Sequence, residues 1–345
     1  MKYTDNYFAD FEKLYTNNND LNQLKNKTIF ITGSTGLIGS AITDYLLFLN
    51  KKHNMNIKIY LGARDYEKLC QRFHIYKKGS DFYFVNYDAC KKLEINISFN
   101  YIIHCAGNGD PAKIVNNPVE TILANTNGLT ELLQYAKEKS SEKLLYISSS
   151  EVYGINETDK PHVENRFGII DPSNVRSCYP LSKKCGENLC VSFSSEYKLP
   201  VVIVRPGHIY GPQMTKSDSR ATAQFFRNVV SGNDIVMKSD GMQLRSYCYS
   251  LDCASAILSV LLKGENAGAY NISNPASICT IKDFAQELAK LAGRSVVFET
   301  SSTAEKKSYN MMSNSSLDST KLESLGWRAC FSLQEGIAET LQQLD

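Results

Sequence analysis

The sequence predicts an α/β fold, a doubly wound parallel sheet with a smaller C-terminal lobe, on three observations. The run Ile29 to Ser40, IFITGSTGLIGS, carries an apolar, β-rich segment across three glycines straight into a segment that is apolar at helical spacing. From Lys27 to about Asn156, β-like and helical segments alternate, which is the rhythm of a parallel sheet wound by crossover helices. Beyond Val201–Val204 that alternation fades, which predicts a second lobe, smaller and discontinuous, drawn from the C-terminal half.

Residues 1–26 form an N-terminal extension. Tyr7, Phe11, Leu14 and Tyr15 lie on one face of a short helix there, which caps the domain or touches a partner. Lys27–Thr32 is the first strand and Leu37–Leu49 the first crossover helix. Gly33, Gly36 and Gly39 between them make a dinucleotide-binding turn of the Rossmann type. Gly33 permits the bend, Gly36 lets backbone approach a pyrophosphate, and Gly39 lets the helix pack closely on the sheet. Leu37 and Ile38 stand in the helix's first turn, where its N-terminus faces the phosphates. The implied cofactor is NAD or NADP. Further strands are expected at Ile57–Leu61, Phe82–Asn86, Tyr101–Cys105, Lys143–Ser148 and Val201–Val204, and a helix at Ile281–Leu291. Strand Ile57–Leu61 ends at Gly62-Ala63-Arg64-Asp65, where an acid meets the NAD ribose or an arginine meets a 2′-phosphate. Arg64 leans toward NADP, and Asp65 keeps NAD open. Residues 27–204 are assigned mainly to dinucleotide binding and 205–345 mainly to the substrate-binding lobe, with some segments returning to the first domain.

Composition excludes several classes. With 345 residues and a formal net charge of +2, the chain has length for a sizeable core and shows no basic stripe of the kind nucleic acid requires. No stretch approaches a membrane span, and MKYTDNYFADFEKLY lacks the apolar run of a signal peptide, so a cytoplasmic protein is expected. The ten cysteines, from Cys70 to Cys330, include no C-x-x-C pair. They read as reduced, mostly buried thiols, with neither a disulfide framework nor a zinc site. His53, His74 and His162 form no metal-ligand pattern, and no metal is expected.

Tyr179 and Lys183 are four apart, so a helix projects both from one face, where an ammonium stabilises a phenolate. Such a tyrosine moves protons at a hydroxyl. Upstream, LLYISSSEVYG (Leu144 to Gly154) runs off a buried strand into a serine-rich turn at the carboxyl end of the sheet, where ligands bind in doubly wound folds.

These motifs resemble the extended short-chain dehydrogenase/reductase family, specifically its nucleotide-sugar epimerases, dehydratases and decarboxylases. The resemblance spans Lys27 to Leu344 and rests on TGSTGLIG, Asp88 after the third strand, IIHCAG at Ile102 to Gly107, and SSSEVYG. It continues through YPLSK, RPGHIYGP at Arg205 to Pro212, Arg245 in LRSYCY, and LDSTKLESLGW ending at Trp327. By that resemblance Ser149 is the catalytic hydroxyl, Tyr179 the general acid/base, and Lys183 the residue that binds the nicotinamide ribose and depresses the tyrosine pKa. Asp88 and Ala106 join the cofactor contacts, Asp88 near the adenine, while Arg245 meets the substrate's diphosphate. Enzymes of the family commonly oxidise a sugar hydroxyl, act on the ketone, and return the hydride. Glu151 stands where dehydratases and decarboxylases place a glutamate, and otherwise caps a turn. Ser150, a substrate contact, replaces the aspartate of many 4,6-dehydratases; the Ser-Ser-Glu order resembles the decarboxylases of nucleotide-linked uronic acids or the GDP-mannose dehydratases, and NGDPAKIVNNPVETILANT with Ser177-Cys178-Tyr179 resembles the decarboxylases most. Pro180-Leu181-Ser182 departs from the acidic residues that decarboxylases show there. His208 replaces a nucleotide-sugar-binding asparagine and either bonds sugar or phosphate or serves packing. His104 orders the loop after its strand.

The resemblance therefore implies a dehydratase or decarboxylase using Glu151, acting through a transient keto sugar on tightly bound NAD or NADP. A small-molecule nucleotide sugar is the expected partner and a homodimer the expected assembly, with a role in polysaccharide synthesis. Two other readings stand beside it. One is an NADPH-dependent reductase of a keto sugar, favoured by Arg64. The other is a non-catalytic cofactor-binding sensor, opposed by the presence of Ser149, Tyr179 and Lys183.

Overall fold

A computed structural model of the protein describes residues 1–17, 19–156, 159–300 and 312–344. Six strands of the N-terminal portion, β1 (Thr28–Thr32), β2 (Lys58–Ala63), β3 (Tyr83–Asn86), β4 (Tyr101–His104), β5 (Lys143–Ile147) and β6 (Val201–Pro206), lie parallel in the order 3-2-1-4-5-6. The strand order reverses between β1 and β4, the switch point outside which ligands bind in doubly wound sheets. Apolar side chains alternate across the sheet. Ile29 and Ile31 feed the core on one face and Phe30 that on the other, all fully buried.

After an N-terminal helix, α1 (Asp5–Thr16), helix α2 (Leu37–His53) covers the first face, while the helices Asn127–Glu138 and Cys178–Tyr197 cover the second. The C-terminal half completes this layer. Helix Ser250–Lys263 packs beside α2 with every residue from Ser250 to Leu261 buried, and strand Ala269–Ile272 pairs parallel with β6 as a seventh strand. A helix enclosed on all sides shows no amphipathic stripe, so neither this helix nor the strand that follows it stood out in the sequence.

The N-terminal helix, Asp5–Thr16, lies against the same layer with Tyr7, Phe11 and Leu14 buried, and Phe11 stacks on Tyr45 at 5.3 Å. Tyr3 and Tyr7 each donate to the buried Asp44 at 2.8 Å, which also pairs with Arg72. The extension is thus pinned to α2 by a charge that needs all three partners to remain buried. In the smaller lobe, strand Leu244–Tyr249 is the hub: Ile278–Thr280 pairs antiparallel with it, and His208–Tyr210 and Asn314–Ser315 pair parallel. Helices Ala221–Val230, Ile281–Leu291 and Leu333–Leu344 pack around it.

The expected strands appear with ends shifted by a residue or two, and helix Ile281–Leu291 has the limits read from the sequence. The cysteines differ from expectation. All ten are unpaired, but four are buried, four partly buried, and Cys90 and Cys185 exposed. Mid-sized thiols on helix surfaces and loop turns escape the core because no packing demand places them there. Among the described residues no helix is long and apolar enough to cross a membrane, and no cluster suits a metal ion.

Candidate active site

A cleft of about 980 Å³ opens at the carboxyl ends of β1, β4 and β5, between the large sheet and the small lobe. Its floor is the glycine turn. Gly33 has a φ of +64°, and a Cβ there would stand 2.8 Å from the Ala106 Cα. A Cβ on Gly39 would stand 2.5 Å from the Gly33 carbonyl oxygen. Backbone blocks a side chain at both positions, so the turn exists only with glycine. Gly36 caps α2 with no side-chain hydrogen bond and the first turn holds no acid, which leaves the N–H groups of a 17-residue helix open toward the cleft beside Leu37 and Ile38. This cradle fits the pyrophosphate of a dinucleotide.

Other expected cofactor residues stand apart from the cleft lining. Arg64 is exposed and turns to Glu120 at 3.4 Å, while Asp65 caps helix Tyr66–Arg72 through the Lys68 N–H. The basic group that does line this end of the cleft is Lys68. Asp88 accepts from the Cys90 N–H in the turn after β3. The Ala106 N–H donates to Thr32 Oγ1, which also shares a 2.8 Å hydrogen bond with His104 Nδ1. His104 is fully buried. Burial, aided by Lys183, pushes its pKa down to about 3, so a neutral ring ties β1 to β4 and orders the loop.

The proton-moving groups converge at the end of β5. Ser149 caps a short 3₁₀ turn, Ser150–Tyr153, by accepting from the Glu151 N–H at 3.2 Å. Tyr179 and Lys183 enter from the first turns of helix Cys178–Tyr197, and Lys183 Nζ donates to the Ile147 carbonyl at 2.8 Å. A second layer fixes turn and helix together. Ser148 donates to Glu187, Arg205 grips both Glu187 oxygens at 2.8 and 2.6 Å, and Arg205 also donates to the Tyr153 hydroxyl.

Tyr179 is 9% exposed. Burial, with the Glu151 charge, pushes its pKa up to about 12 against the opposing pull of Ser149, Arg176 and Arg220. The expected depression of the tyrosine by Lys183 is not what the protein's own groups produce. Burial of the ammonium itself wins, and it drops Lys183 to about 8.

The small lobe supplies the opposite wall: His208, Arg245, and Arg220 at the start of helix Ala221–Val230. Arg245, 3% exposed, donates to the carbonyls of Leu244 and Met312. His208 is held neutral by burial and the two neighbouring arginines, and its Nδ1 has no partner among the described residues. The lobes touch across the cleft mouth, where the Ser219 N–H and hydroxyl both donate to Asp110 at 2.7 and 2.9 Å.

Ser149, Ser150, Glu151, Tyr179, Lys183, His208 and Arg245 are thus brought together on one cleft with the glycine turn. Sequence reasoning missed Arg176 and Arg220. Arg176 holds Glu151 in a two-point pair at 2.7 and 2.8 Å, and Arg220 pairs with Asp218. The one available signal was position, since Arg176 is three residues before Tyr179 and so enters the cleft beside it.

Comparison with known proteins agrees with this geometry. The chain is 28% identical over 325 residues to UDP-glucuronic acid decarboxylase 6 of Arabidopsis thaliana, covering 90% of this chain and 87% of that protein. It is 26% identical over 321 residues to UDP-glucuronic acid decarboxylase 1 of Xenopus tropicalis, covering 93% and 73%. Its fold matches UDP-glucose 4-epimerase of Thermotoga maritima and UDP-glucuronic acid 4-epimerase of Bacillus cereus, each with a TM-score of 0.76 at 22% identity and 92% and 98% coverage. The family model of the NAD dependent epimerase/dehydratase family matches residues 29–273, and the chain belongs to that family.

Proposed function

We propose that this protein decarboxylates a nucleotide-linked uronic acid through a transient 4-keto sugar. The observation that carries the reading is Glu151, a carboxylate held in the same cleft as Ser149, Tyr179 and Lys183, in a chain whose curated relatives include UDP-glucuronic acid decarboxylases. A bound nicotinamide dinucleotide would supply reversible hydride chemistry at the sugar. Gly33, Gly36, Leu37, Ile38 and Gly39 would hold its pyrophosphate, and Lys183 would hold its ribose. Ser149 polarises the sugar hydroxyl, Tyr179 accepts and later returns that hydroxyl's proton, and Arg245 with His208 receives the diphosphate side of the substrate. Once C4 is a ketone, the C5 carboxyl group is labile. The C5–C6 bond breaks, its electrons pass to the carbonyl oxygen, CO2 leaves, and the enolate returns to the ketone as C5 takes up a proton from water through Glu151.

The reductase reading rests on Arg64, whose guanidinium meets Glu120 on the surface and leaves the cleft to Lys68. We therefore favour retained NAD. Protein purified without added cofactor should release a near-stoichiometric dinucleotide on denaturation and convert UDP-glucuronic acid to CO2 and a UDP-pentose. Glu151→Gln should leave the nicotinamide reduced and cut CO2 release by roughly 10²–10⁴-fold, as loss of a positioned proton-transfer group does. An empty site, or CO2 release unaffected by Glu151→Gln, overturns the assignment.

We further place the protein in the cytoplasm, where ten unpaired thiols stay reduced, and we infer a homodimer. Val119, Ile122 and Leu123 on helix Pro118–Asn125 and Val191 and Tyr197 on the Cys178–Tyr197 helix that packs against it are exposed, and the helix pair offers a surface suited to a second copy. Light scattering should report a dimer that Ile122→Asp with Val191→Glu converts to monomer; a monomeric wild type refutes it.

A further inference from the structure

One corner of the cleft carries a charged pair that proton transfer at Ser149 and Tyr179 does not require. Glu151, on the 3₁₀ turn, and Arg176, just ahead of the Cys178–Tyr197 helix, meet through Nη1 to Oε2 at 2.8 Å and Nη2 to Oε1 at 2.7 Å. Their side chains are only 10% (Arg176) and 19% (Glu151) exposed, and both line the cleft. A buried ion pair offsets its desolvation only when its remaining polar atoms are also satisfied. Here they are not. Arg176 Nε is shut away from solvent with no acceptor among the described residues.

The guanidinium geometry gives that orphan a meaning. Arginine presents five N–H groups in a planar fork with more than one edge that matches a carboxylate. Glu151 occupies the end of the fork, which leaves the side-on edge, Nε with its neighbouring Nη, one acceptor short. The Arg220–Asp218 pair on the opposite wall is different: there Nε and Nη2 both reach the carboxylate, so the side-on edge is filled by the protein itself.

We propose that Arg176 is the receptor for the carboxylate of the sugar, taken on its side-on edge beside Glu151, and so sets the preference for a uronic acid over a neutral hexose. This rests on the decarboxylase reading above and names the group that makes it selective. Two carboxylates on one guanidinium repel each other, and the arrangement favours the step that removes one of them as neutral CO2. The electron balance is that given above: the C5–C6 pair moves to the C4 carbonyl oxygen, and C5 regains a proton.

The test is equilibrium binding of two probes, UDP-glucuronic acid and UDP-glucose, to the protein carrying its dinucleotide, with dinucleotide content and thermal melting as folding controls. Arg176→Gln should weaken UDP-glucuronic acid by roughly 10- to 100-fold, the usual worth of hydrogen bonds to a charged partner, and leave UDP-glucose almost unchanged. Arg176→Lys should recover part of the loss. The double variant Arg176→Gln, Glu151→Gln separates the alternatives. If Arg176 itself receives the carboxylate, the double variant stays weak; if Arg176 only neutralises Glu151, removing both charges restores wild-type affinity and overturns the proposal. Equal loss for both probes also overturns it. A wild type that binds neither probe overturns the decarboxylase reading and this inference with it, whereas a wild type that releases CO2 while the double variant binds normally overturns the inference alone.

Discussion

At the cofactor end of the cleft, Gly33, Gly36 and Gly39 present backbone and an open helix terminus; at the substrate end, the buried Arg176 and Arg245 and the half-buried Arg220, with Glu151 and Asp218, present charged side chains. The first end is shaped by what must be absent, since any Cβ at Gly33 or Gly39 collides with backbone. The second is shaped by what is added residue by residue. A backbone site serves one ligand group shared by a whole family, whereas a side-chain site is free to change substrate without disturbing the sheet beneath it.

If the ends are separable, damage to one spares the other. Tyr179→Phe should show this most strongly. It removes the proton acceptor and should reduce turnover by roughly 10²–10⁴-fold, with bound dinucleotide per chain unchanged after purification. A variant that loses its dinucleotide as well would join the two ends into one unit. Gly39→Val is the reciprocal change. The added carbons meet the Gly33 carbonyl, which cannot move without unmaking the turn, so the variant should lose stability by about 1–3 kcal/mol and its retained dinucleotide with it. Calorimetry and the released dinucleotide check both. Retention at wild-type occupancy would show that the helix, rather than the turn, holds the pyrophosphate.

The same contrast explains what could be read beforehand. The glycine turn, strands β1 to β6 and the pair Tyr179 and Lys183 were legible because spacing and hydrophobic alternation fix them locally. Helix Ser250–Lys263 and strand Ala269–Ile272 were not, because a fully enclosed helix has no stripe and its strand is only four residues long. Arg176 and Arg220 were invisible for another reason. Arg176 acquires meaning from Glu151, 25 residues away in the chain, and Arg220, paired with Asp218 two residues before it, from the cleft wall on which the fold sets it; no spacing rule foretells either placement. Arg64 shows the converse. Its place after β2 suggested a phosphate contact, and the fold sets its exposed guanidinium beside Glu120 of another helix, a weak surface pair that no spacing foretold.

Lys183 is where the two ends join, and its effect is a shift with pH rather than a loss of function. Its Nζ reaches the Ile147 carbonyl at the end of β5, and a Cβ on Gly107, after β4, would stand 3.4 Å from it. Burial lowers the ammonium from 10.5 to about 8, so the folded protein gives up this proton more readily than the unfolded chain does. Between these two values the unfolded chain binds more protons, and stability therefore rises with pH across that window; below about 8 the full penalty of a buried charge is present. Lys183→Met carries no such charge. Melting curves from pH 7 to 10 should show wild type gaining on the variant by an amount on the order of 1–3 kcal/mol. Parallel curves would mean that Lys183 keeps its ammonium hydrated, and then the join between the ends would be open to water rather than sealed by the helix that carries Tyr179.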